Sequence, residues 1–152
     1  MEEKYSSSYP ERVIRDGARR TLNYDIRELG EDEIKSLWEK EPQMDGGAPY
    51  DYFAKEHRYA YRSVTMGGAR WTYQGIVEAI IREKYSVDEM EAITNNMAAI
   101  NAVFMQTLVS GGIVEAIKFL KESADVSDAD AFKEMQEWRA LAKREARDVL
   151  KM

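Results

Sequence analysis

Cysteine is absent from this chain of 152 residues, and His57 is its only histidine. Disulfide bonds and thiol nucleophiles are therefore excluded. A metal site built on several imidazoles is excluded as well. His57 beside Glu56 or Asp51 leaves a lone general base as one interpretation. A packing role at the start of a tyrosine-rich strand is the commoner outcome for such a residue.

Long apolar runs and targeting segments are also missing. The amino terminus lacks the apolar core of a signal peptide. No run approaches the roughly 20 apolar residues that a membrane span needs. We therefore expect a soluble protein that has no membrane partner and is not exported by the usual route.

The charge balance is acidic, with a net charge of −6 and a pI of about 5.0. This balance argues against nucleic acid as a partner, because such binding usually rests on a cationic surface. Five arginines nevertheless cluster early in the chain, at positions 12, 15, 19, 20 and 27. A DNA-binding regulatory or packaging protein that uses the segment Arg12–Arg27 therefore stays open as an alternative.

Hydrophobic residues make up 44% of the chain and charged residues 33%, which is typical of a globular protein. Residues 1–10 are polar apart from Met1, two tyrosines and a proline, and we expect them to form a flexible arm. Residues 11–152 are expected to form a single α+β domain. Its strand- and loop-rich part covers residues 11–68 and its helical part covers residues 69–152.

The first half carries strand and turn signals. Asp16-Gly17 precedes an alternating segment from Thr21 to Arg27, which predicts a hairpin or at least one half-buried strand. A short helix is expected from Gly30 to Lys40, followed by an exposed loop from Glu41 to Pro49. The segment His57–Met66 is expected to be a further strand.

The second half carries helix signals. Thr72 is a predicted N-cap for a helix over residues 73–85, and Ser86 opens a capping box for a helix that reaches about Val109. Gly111-Gly112 is expected to end that helix, with two more helices after it. The predicted fold is therefore α+β: short antiparallel strands followed by a C-terminal bundle of three to four helices.

Past Ala98 the predicted long helix is apolar nearly all round, which indicates burial on more than one side. Either this helix is central to the fold or it packs against another copy of the chain. Met97, Phe104 and Met105 are the residues of this stretch that we expect at an interface. The other interface candidates are the tyrosines and arginines near the amino terminus, namely Tyr5, Tyr9, Arg12, Arg15, Arg19 and Arg20.

No constellation of residues predicts catalysis. Glu78 and Glu115 are isolated helical carboxylates, and such residues are usually solvated. Gly67-Gly68 lacks the lysine or third glycine of a phosphate loop and is interpreted as a turn. We expect no enzyme, no catalytic residues, no metal, no cofactor and no small-molecule substrate.

One hexapeptide, Gly-Ile-Val-Glu-Ala-Ile, occurs twice, at Gly75–Ile80 and at Gly112–Ile117. A duplicated helical hairpin is one explanation. Convergence on a common amphipathic helix start is the other, and it is favoured because the match thins beyond six residues.

Three segments carry a resemblance to a known group of proteins. They are Trp71–Ile81 with Tyr85–Asn96, Glu134–Lys143 and, more faintly, Arg19–Asp25. Together they resemble small uncharacterised virion-associated proteins of tailed phages and prophages of gut bacteria, from the tail or the head–tail region. The resemblance carries over no catalytic residue.

The resemblance implies a structural or assembly protein of a phage virion, acting as a head–tail connector or a tail component. It implies the virion as the location, with the host cytoplasm during assembly. The implied partners are other virion proteins and copies of the chain itself.

Overall fold

The structure is a computed structural model that describes residues 2–40, 49–122 and 126–152. Four strands and five helices lie in this part of the chain, together with a 3-10 turn at Gly68–Arg70. In chain order they are β1 (Lys4–Ser6), β2 (Val13–Asp16), β3 (Arg19–Glu28), α1 (Glu31–Lys40), α2 (Tyr50–Glu56), β4 (Tyr59–Gly67), α3 (Tyr73–Lys84), α4 (Val87–Glu122) and α5 (Val126–Leu150). The predicted α+β class is confirmed. The predicted loop Glu41–Pro49 lies, apart from Pro49, outside the described residues.

The strands form one antiparallel sheet in the order β1-β4-β3-β2. The predicted hairpin is confirmed, and its tip residue Gly17 has a φ of 58° that favours glycine. Leu22 on β3 is paired with Val64 on β4, and both are buried. A bulge interrupts this pairing after Tyr24, where Asp25 has a positive φ of 51°.

The chain divides into two compact units. One, here called the sheet unit, comprises Met1–Ile80 and Lys143–Met152, and the other, here called the helical unit, comprises Ile81–Ala142. The predicted division at residues 68 and 69 follows the end of the last strand, β4, whereas the compact units follow another division. Helices α3 and α5 each contribute residues to both units.

Two groups of apolar residues fill the sheet unit. One group is a cluster of four buried residues, namely Leu29, Ile34, Phe53 and Ala60. Tyr5 of β1 packs against this cluster, as do partly buried residues of α1 and α2. The second group consists of buried residues from β3, β4, α3 and the end of α5, namely Leu22, Tyr24, Val64, Met66, Ile76, Val77, Ile80 and Ala146. Ala146 thus brings a residue from the last ten of the chain into the buried part of the sheet unit.

Part of the segment predicted to be a flexible arm is paired in the sheet. Lys4–Ser6 form β1, in which Tyr5 is paired with Ala60 of β4. The expectation of an unpacked arm is wrong for these residues. It fails because the strand partner lies more than fifty residues away along the chain, where no local pattern can indicate it.

Both predicted helix caps are confirmed. The Gly75 amide donates to Thr72 Oγ1 at 3.1 Å, and the Glu89 amide donates to Ser86 Oγ at 3.1 Å. These bonds satisfy amide groups that have no partner within the helix at the start of α3 and α4. Helix α2 has no such side-chain cap, which is one reason why the sequence did not indicate it.

Helix α4 is broken at Gly112, which has a φ of 82° and a ψ of −179°. This conformation is essentially restricted to glycine. The prediction that the long helix ends at Gly111-Gly112 and that another begins at Ile113 is therefore confirmed. An uninterrupted helix runs from Val87 to Gly111 and a separate helical segment follows the break.

The long helix is not central to the fold of the helical unit. The stretch Val87–Phe119 has a window of mean hydropathy 1.6 of which no residue is buried. By length and composition it is also the one helix in the described part of the chain that could cross a membrane. The expectation that no run approaches a membrane span is therefore wrong for α4. Of the two alternatives given for this helix, a central position in the fold does not hold, and packing against another copy stays a prediction.

Candidate interaction surfaces

The exposed face of α4 is the largest unexplained feature of the helical unit. From Ala92 to Val114 the sequence holds no charged residue. A helix with one solvated side normally carries charged residues on that side. Large apolar side chains are instead exposed, namely Val103 (43%), Met105 (54%), Val109 (85%), Ile113 (65%), Val114 (73%) and Ile117 (44%).

The predicted interface residues of α4 divide between two sides of the helix. Met105 is exposed, whereas Met97 and Phe104 are half-buried. Half-buried residues recur along α4 at steps of three and four residues, at positions 90, 93, 97, 100 and 104. This spacing places them along one stripe, which is distinct from the exposed face.

The repeated hexapeptide has opposite environments at its two positions. In the first copy Ile76, Val77 and Ile80 are buried, whereas the equivalent Ile113, Val114 and Ile117 of the second copy are exposed. The alanine of the hexapeptide shows the opposite trend, because Ala116 is fully buried although the large apolar residues of the second copy are exposed. The same six residues can bury an apolar face in this protein, and the second copy leaves that face uncovered.

The two glycines of the repeat are also required for different structural reasons. A Cβ on Gly75 would lie 2.0 Å from the Arg70 carbonyl oxygen, so a side chain is sterically excluded there. Gly112 has open space but a positive φ. Such different constraints are what convergence on one helix start would produce, and they offer no support for a duplicated hairpin.

The two candidate tyrosines of the sheet unit lie in different surroundings. The Tyr5 ring packs on the cluster of Leu29 and Phe53 and lies 4.8 Å from the His57 ring. Burial, followed by the charge of Glu3, raises the pKa of Tyr5 above 10.0. Tyr5 thus packs partly within the sheet unit, and its role at an interface stays a prediction. Tyr9 is 60% exposed, with its ring edge-on to Tyr59 at 5.7 Å.

Arg12 is engaged within the sheet unit. Its guanidinium lies 2.7 Å from Glu145 and 3.0 Å from Asp148, both on α5. The sequence analysis expected Arg12 to contact another protein. Its acidic partners within the chain lie more than a hundred positions away, and no local sequence pattern indicates them. Docking through Arg12 would require this contact to break.

The remaining candidate arginines lie around the β2–β3 hairpin. Arg15 and Arg19 are exposed, and Arg20 is partly buried and donates to the carbonyl oxygens of Gly17 and Arg19. Arg15 is paired in register with Arg20. The cationic part of the predicted DNA-binding segment is therefore confined to one end of the hairpin.

Arg27, the last arginine of that segment, is surrounded by carboxylates. It lies 3.0 Å from Glu3 and 3.1 Å from Glu33. Its hydrogen bond to Glu3 is the largest influence on its pKa, which is raised. Arg27 lines a cleft of about 350 Å³ with Tyr5 and Leu29. Because its charge is already compensated, this cleft has no available cation for an anionic ligand.

The residues weighed for catalysis are either packed against apolar neighbours or exposed to solvent. His57 stacks on Phe53 at 3.8 Å and its Nδ1 lies 2.8 Å from the Phe53 carbonyl oxygen, so it packs against its own helix end. Glu78 and Glu115 are exposed. Among residues 2–40, 49–122 and 126–152, no group of three or more acidic, histidine or cysteine residues is placed to hold a metal ion. Gly67-Gly68 passes from β4 into the 3-10 turn, where the Gly68 amide donates to the Ala18 carbonyl at 2.7 Å.

No family model, curated protein or solved structure matches this chain.

Proposed function

We propose that this protein is a structural or assembly component of a tailed-phage particle, in the tail or at the head–tail junction, and that it works through protein–protein contacts without catalysis. The observation that carries the proposal is the exposed, charge-free face of α4. Apolar patches of this kind on protein surfaces mark interaction sites. The phage assignment itself comes from the resemblance of Trp71–Ile81, Tyr85–Asn96 and Glu134–Lys143 to virion-associated proteins.

The apolar patch after the helix break supports a contact role in particular. Ile113, Val114 and Ile117 are exposed, although the same hexapeptide is buried at Ile76, Val77 and Ile80. Covering such side chains contributes about 25 cal/mol for each Å² of apolar surface removed from water. A virion protein that occupies a repeated site would gain this contribution at every copy.

The proposal is tested in purified particles. Mass spectrometry of phage particles from a host that carries this gene is expected to find the chain as a particle protein. The variant Val114→Glu is expected to reduce its incorporation strongly, because a carboxylate enters the apolar patch. Tyr52→Glu is the matched control, since Tyr52 is an exposed apolar residue of the sheet unit (61%). Absence of the chain from particles and from their assembly intermediates contradicts the proposal.

A further inference from the structure

One side of α4 before the helix break has a regular composition. Six residues recur along it at steps of three and four, which places them on one side of the helix. In order they are Ala92, Asn95, Ala99, Ala102, Gln106 and Val109, and all six are exposed. This set is called the alanine–amide seam below. Its spacing is that of a coiled-coil contact line.

The seam is separate from the half-buried stripe of the same helix. The stripe contains Met97, Ile100 and Phe104, none of which belongs to the seam. Helix α4 therefore has two lines of coiled-coil spacing, and only the stripe is partly covered within the described chain. The seam lies on the opposite side of the helix from the stripe, and all of its residues are exposed.

The seam is complementary to itself in one orientation. A two-fold axis that passes between Ile100 and Asn101 and relates two antiparallel helices places Asn95 opposite Gln106. The same axis places Ala99 opposite Ala102. It also places Ala92 opposite Val109. Each side chain thus meets a partner of matching chemistry: amide with amide, and small apolar with apolar.

The physical consequences of this pairing are favourable. Alanine at the two central positions lets the helix backbones approach closely. The amide groups can donate to and accept from each other, so burial leaves neither unsatisfied. Amide residues in a coiled-coil contact line also fix register. The uncharged stretch Ala92–Gly111 is about 30 Å long at the α-helical rise, which gives a contact line of several turns.

We propose that a second copy of this chain covers the alanine–amide seam, forming an antiparallel two-fold dimer through α4. This inference deepens the proposed function, because it names the partner of one face of α4. The biological role of the dimer rests on the proposed function. The interface is isologous, so the same residues contribute on both sides.

A lipid bilayer is the other occupant that the length of α4 allows. A lone helix in lipid would leave the amide side chains of Asn95, Asn96, Asn101 and Gln106 without hydrogen-bond partners, which is costly in hydrocarbon. The break at Gly112 would also leave backbone groups unpaired at the end of the span. A second protein helix satisfies the two amides of the seam, whereas lipid satisfies none of the four.

The absence of cysteine in the chain permits a direct test by disulfide cross-linking. Ala92→Cys and Val109→Cys are made in separate chains, which are mixed and mildly oxidised. In the antiparallel dimer the two cysteines face each other, and the mixture is expected to give a cross-linked heterodimer. Each variant alone is expected to remain uncross-linked, because its two cysteines lie about 25 Å apart along the axis at the α-helical rise.

A second pair of variants tests the seam without cysteine. Ala102→Glu places two carboxylates at the centre of the seam and is expected to convert the dimer to monomer in light scattering. Asn101→Glu is the matched control, because it adds the same charge at the next residue, outside the seam. It is expected to leave the dimer intact. Circular dichroism on both variants checks that the helices remain.

Three results would overturn the proposal. The first is a monomer at every concentration with no cross-link between positions 92 and 109. The second is cross-linking of each single variant to itself, which indicates parallel helices. The third is a monomeric chain that co-sediments with vesicles of phosphatidylcholine and phosphatidylglycerol. A dimer that is absent from phage particles would instead contradict only the proposed function, and a monomer present in particles would contradict only the dimer.

Discussion

Arg12 and Glu145 are joined by a contact of 2.7 Å between Nη1 and Oε2, although they are separated by most of the sequence. The side chain of Glu145 is only 12% exposed and that of Arg12 is 25% exposed. The contact connects the segment before β2 to the end of α5 within the sheet unit.

Removing this contact is expected to destabilise the sheet unit. Arg12→Ala leaves the sheltered Glu145 carboxylate without its charged donor, and we expect a loss of about 1–2 kcal/mol in the free energy of unfolding. Chemical denaturation measures the change. Arg15→Ala, at an exposed arginine two positions beyond the start of β2, is the control. If Arg12→Ala and Glu145→Ala have additive effects in a double-mutant cycle, the contact does not couple the two residues.

Asn23 is a buried polar residue of β3 and is expected to be sensitive to substitution. Its Nδ2 donates to the Glu11 carbonyl at 2.6 Å, and its Oδ1 accepts from Ser63 Oγ at 2.6 Å. Asn23→Ala leaves both partners unsatisfied and is expected to cost about 1–3 kcal/mol. Thermal unfolding monitored by circular dichroism provides the measurement. Thr21→Ala, which removes an exposed hydroxyl pair with Thr65, is expected to cost less.

Gly75 is expected to tolerate no side chain. An added Cβ would approach the Arg70 carbonyl oxygen to 2.0 Å, so the backbone must shift. We expect Gly75→Ala to destabilise the protein by about 2–3 kcal/mol. Gly30→Ala is the matched control, because a Cβ there meets nothing within 4 Å. Equal melting temperatures for the two variants would show that the turn before α3 adapts without strain.

Stability is expected to fall at alkaline pH partly through Tyr5. Burial raises the pKa of its phenol in the folded state above 10.0. The neutral phenol is therefore favoured by folding, and this contribution is present below about pH 10 and lost as the pH rises through the folded-state pKa. Tyr5→Phe keeps the ring but removes the titration, so its stability should decline less steeply above pH 10. Tyr52→Phe, at an exposed tyrosine, serves as the control; denaturation midpoints across the pH range provide the comparison.

Local signals predicted the helix starts and the hairpin correctly. Thr72, Ser86 and Asp16-Gly17 act on neighbours within a few residues, so their effect can be derived from spacing alone. The pairing of Tyr5 with Ala60 and the contact of Arg12 with Glu145 are long-range, so no local pattern could indicate that these two predicted interface residues also have partners within the chain.

The exposure of α4 marks another limit of sequence reasoning. An all-round apolar pattern indicates that something covers the helix, and it predicted Met97, Phe104 and Met105 as contact residues. The pattern does not distinguish coverage by the same chain from coverage by another. The most exposed side chain of the face, Val109, was missed because the prediction followed large residues rather than the stretch without charge.

The sheet unit is discontinuous along the chain, since Lys143–Met152 complete it after the whole helical unit has been made. Domains generally fold as units during synthesis, the earlier ones first. Here the residues that complete the unit are made last, because Glu145 and the buried Ala146 emerge from the ribosome long after Arg12. The contact between Arg12 and Glu145 therefore forms only after the whole helical unit has been translated.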